Sequence, residues 1–386
     1  MIPDFTPLID RLQSGVLLPL KSAFVGKDDV VDLMSVCLIA GENLFILGPP
    51  GTAKSALVHE LGKRIEGQTF EYLLTRFTEP NELFGPFDIR KLRDGVLETN
   101  TEGMLPEASL VFLDELLNAN SAILNSLLSV LNERVLRRGR ETLRLPMLMA
   151  VGASNHLPED DALRALFDRF LLRVRSDNVG DDGLVEVLRA GWNLERGQNG
   201  STLGQVLTLD EIVQLRNLIG QIDLSLVEAP YVDLVVRLRT MGIQISDRRA
   251  VKVQRLIAAS AILCGRTLAH PSDLWVLAHI WDIEEQRELL RSAVREILDA
   301  NPADEATRIH PRAESPDLPN PDELLGELER VLVDAQPYLS NGESLPNAIS
   351  DRLSAVENRT QWLANDEQRN FLTEKVADAW IQLQQT

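Results

Sequence analysis

Residues 43–62 read NLFILGPPGTAKSALVHELG: a short apolar run, a Gly/Pro-rich turn, then an amphipathic helical pattern. Strand, turn and helix in that order are what a phosphate-cradling loop requires. Positions 43–47 predict a buried strand, and Gly48, Pro49, Pro50 and Gly51 predict a turn with exposed backbone N–H groups. Those donors and the helix N-terminus behind them make an anion site. Lys54 can reach the β- and γ-phosphates, and the Ser55 hydroxyl can ligate Mg²⁺. Ala53 stands where the pattern G-x-x-x-x-G-K-[ST] has its last Gly, a change that costs little if φ there is negative. The stretch predicts binding of a nucleoside triphosphate.

About 60 residues on, SLVFLDELLNANSAILNSLLSVLNE (109–133) ends a buried strand in Asp114 and Glu115. Ligands of open α/β sheets bind at that carboxyl edge. Asp114 can hold Mg²⁺ through its water shell, and Glu115 can polarise a water for in-line attack on the γ-phosphate. The next strand, MLMAVGASN, ends in Asn155, an amide able to orient that water or to cap a turn. Arg169, in LRALFDRFLLRVR, either pairs with Asp168 or acts on a nucleotide held by a neighbouring subunit. Arg248 and Arg249 open a helix, where cations oppose the dipole. An anionic partner is expected there, either a nucleotide phosphate reached from that side or a local carboxylate.

The bulk composition bounds the rest. Hydrophobic residues make up 44% and charged residues 25%, as in ordinary globular chains. No run reaches the ~18–20 apolar residues of a membrane span, and MIPDFTPLIDRL lacks a basic, then apolar, leader pattern. Cys37 and Cys264 read as buried free thiols of a reducing compartment, so a cytoplasmic location is expected. The five histidines have no metal-ligand spacing. A net charge of −19 argues against a broad nucleic-acid grip. Much of that charge lies in residues 281–386, with 22 acidic against 10 basic side chains, either a solvated face or a docking surface.

Short apolar strands (43–47, 70–74, 109–113, 147–152, near 170–175) alternate with helical segments (27–40, 54–65, 119–132, 159–167). That alternation predicts an α/β parallel sheet covered on both faces, spanning residues 1–178. Hairpin-like insertions are expected at 86–104 and 134–145, turning at Gly95 and Gly139. Residues 179–207, with GQNGSTLGQ, read as a linker. An all-α domain follows over 208–296, opened by a Thr208/Glu211 capping box and continuing through 228–240, 246–264 and 271–296. Five prolines in 301–321 predict a second linker. Helices at 322–335, 345–363 and 366–384 then form a C-terminal region over 322–386.

The segments GPPGTAKS (48–55), TRFTEPNELFGPFDIRKL (75–92), GMLPEASLVFLDELLNANSAILNSLLSVLNER (103–134), ASNHLPED (153–160), ALFDRFLLR (165–173) and SDRRAVKVQRLIAASAILCGR (246–266) together resemble the MoxR family of AAA+ ATPases, within it the RavA-like branch. The resemblance implies a P-loop AAA+ αβα core, an all-α lid and ATP with Mg²⁺ as cofactors. By position it makes Gly48, Pro49, Pro50, Gly51, Thr52, Ala53, Lys54 and Ser55 the Walker A loop, with Asp114 and Glu115 as Walker B. Asn155 becomes sensor 1, Arg169 the trans-acting arginine finger, and Arg248, or its neighbour Arg249, sensor 2. Val25 and Gly26 would pack near the adenine, and an insert around 86–103 would face a pore or partner. The family implies a hexameric ring that remodels a partner, often one with a von Willebrand factor A domain. Two other readings are open: a nucleotide-gated scaffold with little turnover, against which Glu115, Asn155 and Arg169 speak, and a DNA-directed motor with Arg76, Arg90, Lys91 and Arg93 at a pore, against which the net charge speaks.

Overall fold

The computed structural model describes residues 4–88, 99–138, 141–158, 161–180, 183–196, 207–304, 307–314, 321–341 and 366–384, with positions 349, 353, 356, 357 and 360. Seven strands occur among them: β1 (Leu44–Leu47), β2 (Thr69–Leu73), β3 (Leu110–Asp114), β4 (Val135–Arg138), β5 (Glu141–Arg144), β6 (Met149–Ser154) and β7 (Leu172–Arg175). Five of these form one parallel sheet in the order β2-β3-β6-β1-β7. Every residue of β1 and β6 is buried, as helical cover on both faces requires. β4 and β5 pair antiparallel with Val135 opposite Arg144, the hairpin expected at 134–145, while its tip at Gly139 lies outside the described residues. The centre of the expected insert, including Gly95, Arg90, Lys91 and Arg93, also lies outside them.

The helix Ser121–Glu133, which follows β3, begins at Asn120, whose side-chain oxygen accepts from Ala122 N and Ile123 N at 3.1 Å each. In the all-α part, Glu211 N donates to Thr208 Oγ1 at 3.2 Å and Thr208 N to Glu211 Oε2 at 3.0 Å, closing the capping box. Beyond it run helices Leu209–Asn217, Ser225–Thr240, Asp247–Leu263 and Gln286–Ala300. The stretch expected as helix from 271 instead forms a 3-10 coil, Pro271–His279, and a bend before Gln286. Leu274, Trp275, Val276 and Leu277 are all buried, a run with no polar face to give it α-helical periodicity.

Both expected linkers contain packed structure. Residues Leu184–Glu195 form a helix, although its apolar Leu184, Leu188 and Trp192 stay exposed and only Ala190 is buried. The adjacent polar stretch masked that i, i+4, i+8 signal in the sequence. Residues 307–313, inside the proline-rich segment, bind the core: Arg312 pairs with Asp29 and with Asp32, the latter at 2.8 Å. His310 stacks on Trp275 with ring centroids 4.5 Å apart.

The sheet and the all-α part meet at a buried ion cluster. Arg173 of β7 is 1% exposed; its guanidinium donates to Trp281 O at 2.8 Å and to Ile280 O at 3.2 Å, and pairs with Asp282 at 2.9 Å. Arg249 donates to the same carboxylate at 3.0–3.1 Å and to Ile280 O. Burial, reinforced by Arg249, pushes Arg173 down to about 9.

The chain divides into two compact units, to Ala313 and from Glu314. The second has its own core of Leu324, Leu328, Val331, Leu353, Val356 and Leu372. Its last helix, Asp366–Gln384, buries Val376 and Leu383 while Phe371 is half exposed.

The buried His310 carries a pH prediction. Burial pushes its pKa down to about 4, below the ordinary value near 6.5. The folded protein therefore has full stability from this group above about pH 6.5, and loses it as pH falls toward 4. Chemical denaturation at pH 5 should show about 2 kcal/mol less stability from His310 than at pH 7.5. His310→Gln should flatten that dependence while lowering stability at neutral pH.

Candidate nucleotide site

Parallel register decides which side chains meet. Leu113 of β3 is opposite Gly152 of β6, and Leu47 of β1 is opposite both Ser154 and Arg175. The ends of β3, β6, β1 and β7 consequently carry Asp114, Asn155, Gly48 and Arg175 along one edge of the sheet. Gly48 N donates to Ser154 O at 3.0 Å, which sets Asn155 beside the loop. A cavity of about 720 Å³ opens here, lined by Gly48, Pro49, Pro50, Asn155, Arg175 and Glu284, among others.

The loop itself is shaped for an anion. A Cβ at Gly48 would meet Ser176 O at 2.1 Å, so only glycine fits beneath the turn. Gly51 lies at φ +84, and Ala53, at φ +60, precedes the helix Lys54–Arg64. Left-handed residues alternating in a turn direct successive N–H groups to one side. The condition under which Ala53 would cost little, a negative φ, is not met: the loop forces its left-handed conformation on a residue with a Cβ. Lys54 is buried and donates to Gly48 O at 2.8 Å and Pro49 O at 2.9 Å, holding its ammonium across the loop. Thr52 Oγ1 donates to Pro49 O at 3.0 Å. Ser55 begins the helix, half-buried.

Glu115 follows the strand in a left-handed conformation, φ +50, and its N–H donates to Asp114 Oδ1 at 3.0 Å. Asn118 Nδ2 approaches Glu115 Oε2 at 3.4 Å. This donor set fits Mg²⁺ triphosphate: Lys54 and the loop N–H groups for phosphate oxygens, Ser55 and Asp114 for the metal. Glu115 stands one residue beyond Asp114, where it can take a water proton. Gly26 lies at φ +70, and a Cβ there would meet Val179 at 2.9 Å. Beside it Lys27 Nζ donates to Asp177 O, placing Val25 and Gly26 next to a segment that lines the cavity.

The three arginines singled out in the sequence lie elsewhere. Asn43, at the start of β1, donates to Arg169 O at 3.0 Å and to Leu131 O at 3.3 Å. Arg248 donates to Asn132 Oδ1 at 3.0 Å. Both therefore sit at the edge where the strands begin, roughly 16 Å of extended chain from the loop. Arg169 pairs with Asp168 at 3.0 Å. Arg248 does not approach the phosphate loop of its own chain, contrary to the reading in which it meets a phosphate from the lid side. Arg249 is buried on Asp282, the local carboxylate alternative.

The comparisons with known proteins bear on family and fold. Residues 10–217 match the family described as "MoxR domain in the MoxR-vWA-beta-propeller ternary systems", and residues 208–294 match an AAA lid domain. The chain belongs to the MoxR family of AAA+ proteins. An uncharacterised protein of Methanocaldococcus jannaschii is 34% identical over 306 residues, covering 73% of this chain and 80% of that one. Chaperone MoxR1 of Mycobacterium tuberculosis is 29% identical over 205 residues, 51% of this chain and 52% of its own. The crystal structure of a proposed ATPase from Cytophaga hutchinsonii superposes with a TM-score of 0.63 at 18% identity, covering 77% of this chain and 96% of that one, a likeness of fold. Among the described residues no helix is long and apolar enough to cross a membrane.

Lys27, Arg175, Asp177 and Glu284, at or beside the cavity, are not among the residues singled out by the sequence. Arg175 had one usable signal, a charged residue ending an apolar strand at the sheet edge where ligands bind. Glu284 had none, because it is 109 positions away and arrives only through the fold.

The strained loop supplies a second prediction. Ala in the left-handed region costs roughly 1–2 kcal/mol, and Gly gives back part of that through unfolded-chain entropy. Ala53→Gly should raise the denaturation midpoint, by roughly 0.5–1 kcal/mol net, and Ala53→Val should lower it.

Proposed function

We propose that this chain is an ATP-hydrolysing MoxR-type motor, working as a ring and remodelling a partner protein. The observation that carries it is the meeting of the Gly48–Ser55 loop, across which Lys54 is held, with the strand ends at Asp114 and Asn155 along one sheet edge, where Gly48, Pro49, Pro50 and Asn155 line a cavity of about 720 Å³. ATP enters the cavity with Mg²⁺, the loop N–H groups and Lys54 hold the β- and γ-phosphates, and Glu115 activates water for in-line attack. Asn155 orients that water or the γ-phosphate. Val25 and Gly26 flank the base.

Arg169 and Arg248 share the opposite sheet edge, and this supports a role for both in trans. In a closed ring, the strand-start edge of one subunit faces the loop of the next, so both arginines meet the neighbour's phosphates. Arg248 is taken as sensor 2, because Arg249 is committed to Asp282. A hexamer is the ring we favour. The matched family description names von Willebrand factor A and β-propeller components, which makes a von Willebrand factor A protein the partner class of choice. Ala53 in place of the loop's last Gly supports a position near the RavA-like branch. Residues 1–178 serve as the motor core, 208–296 as the lid and 322–386 as an acidic docking region. Two buried thiols are in keeping with a cytoplasmic home.

Steady-state ATP turnover by the purified protein tests this reading. Glu115→Gln should lower turnover about 100-fold or more with ATP still bound, and Lys54→Ala should lose binding. Arg169→Ala should also stop turnover. Mixing inactive Glu115→Gln and Arg169→Ala subunits should restore part of it, because each mutant supplies what its neighbour lacks. No recovery on mixing would place Arg169 outside a shared site, and no wild-type turnover would exclude the motor.

A further inference from the structure

We propose that Arg175 is a nucleotide-binding residue and that Glu284, from the all-α domain, competes with the triphosphate for its guanidinium. This rests on reading the cavity as the nucleotide site. Register with Leu47 puts Arg175 one strand over from the start of the phosphate loop. Its Nε lies 2.8 Å and 2.7 Å from the two oxygens of Asp177, and its Nη1 donates to Glu284. All three side chains line the same cavity as Gly48, Pro49 and Asn155, and Glu285 lines it too.

The charge balance points to exchange. A guanidinium has five donors in a planar fork, suited to bidentate recognition of phosphate. Here two carboxylates occupy it, and a third carboxylate stands at the same wall, which opposes a polyanion unless Arg175 turns toward it. The two partners are not equivalent. Asp177 follows β7 directly, and Lys27 binds its backbone oxygen. Glu284 comes from the bend ahead of Gln286–Ala300, so the Arg175–Glu284 pair is a bond between the sheet and the all-α part. It is also partly exposed, 36% and 38% for the two side chains, and such pairs yield readily to a competing anion. Phosphate oxygens taking Arg175 would break that bond and leave the Asp177 contact in place. Nucleotide binding would then loosen one attachment of the all-α domain while the Asp282 cluster and the Lys252–Glu42 pair keep others.

Titration of the full chain with a fluorescent ATP analogue and Mg²⁺ tests the inference. Saturable wild-type binding that unlabelled ATP displaces supports the site itself, and its absence overturns that reading and this inference with it. Given wild-type binding, Arg175→Ala should weaken affinity about tenfold, and Glu284→Gln should tighten it about three- to tenfold. The double variant should bind no more tightly than Arg175→Ala. Glu285→Gln removes an equal charge from the same wall and should change affinity less than about twofold. Wild-type affinity in Glu284→Gln, equal tightening in Glu285→Gln, or tightening that persists without Arg175 would each overturn the competition. Should Arg175→Ala not fold, the Glu284→Gln and Glu285→Gln pair decides alone.

Discussion

Two guanidinium groups and one carboxylate join the sheet of this chain to its all-α part. Arg173 from the sheet and Arg249 from the all-α part converge on Asp282, and the carbonyls of Ile280 and Trp281 accept further bonds from them, while the Nε of each guanidinium is buried without a partner. Charges withdrawn from water persist only when paired and hydrogen-bonded, and removing one member of such a set is far costlier than never having it. The arrangement is therefore close to all-or-none. Because Asp282 is pinned, the residues directly after it, Ile283, Glu284 and Glu285, are delivered to the wall of the cavity. A structural ion cluster thus determines which all-α residues line the cavity beside the Gly48 loop.

The sheet performs a second sorting. All strands of the five-stranded sheet run parallel, so strand ends collect at one edge and strand starts at the other. Asp114, Asn155, Gly48 and Arg175 are strand-end residues and share an edge. Arg169 lies by the strand-start edge, where Asn43 accepts from Ala150 N and bonds the carbonyl of Arg169. Arg248 reaches the same edge through Asn132. One chain consequently carries the candidate phosphate site on one edge, while Arg169, paired with Asp168, and Arg248, bonded to Asn132, lie by the other.

Local strain clusters where the chemistry is expected. Among the described residues, the non-glycine positions with positive φ are Ala53, Glu115 and Arg134. The first precedes the helix behind the phosphate loop, the second carries the proposed water-activating carboxylate, and the third caps a helix beside Asn43. Strain of this kind survives only where surrounding structure over-determines it. At Ala53 that role falls to the loop turn and to Lys54 bonded back across it.

Much of this was legible in the sequence, and each success has a local cause. GPPGTAKS announces its loop because turn residues, a buried strand and a helix are contiguous, and LVFLDE announces its acidic strand end for the same reason. The Thr208–Glu211 box is likewise a contact of four consecutive residues. What failed was non-local. The positive φ at Ala53, which the sequence left open, is imposed by the closed loop. The 307–313 segment, composed like a linker, packs because Asp29, Asp32 and Trp275 happen to await it. The choice between Arg248 and Arg249 turned on Asp282, 33 positions beyond Arg249. By itself the sequence determined the sheet class, the phosphate loop and its acidic companion, since periodicity and turn chemistry act over a few residues. Only the tertiary structure decided which cations face the loop, which face away, and which carboxylates share the cavity, because side-chain partners hundreds of atoms apart along the chain meet only after the sheet and helices have packed.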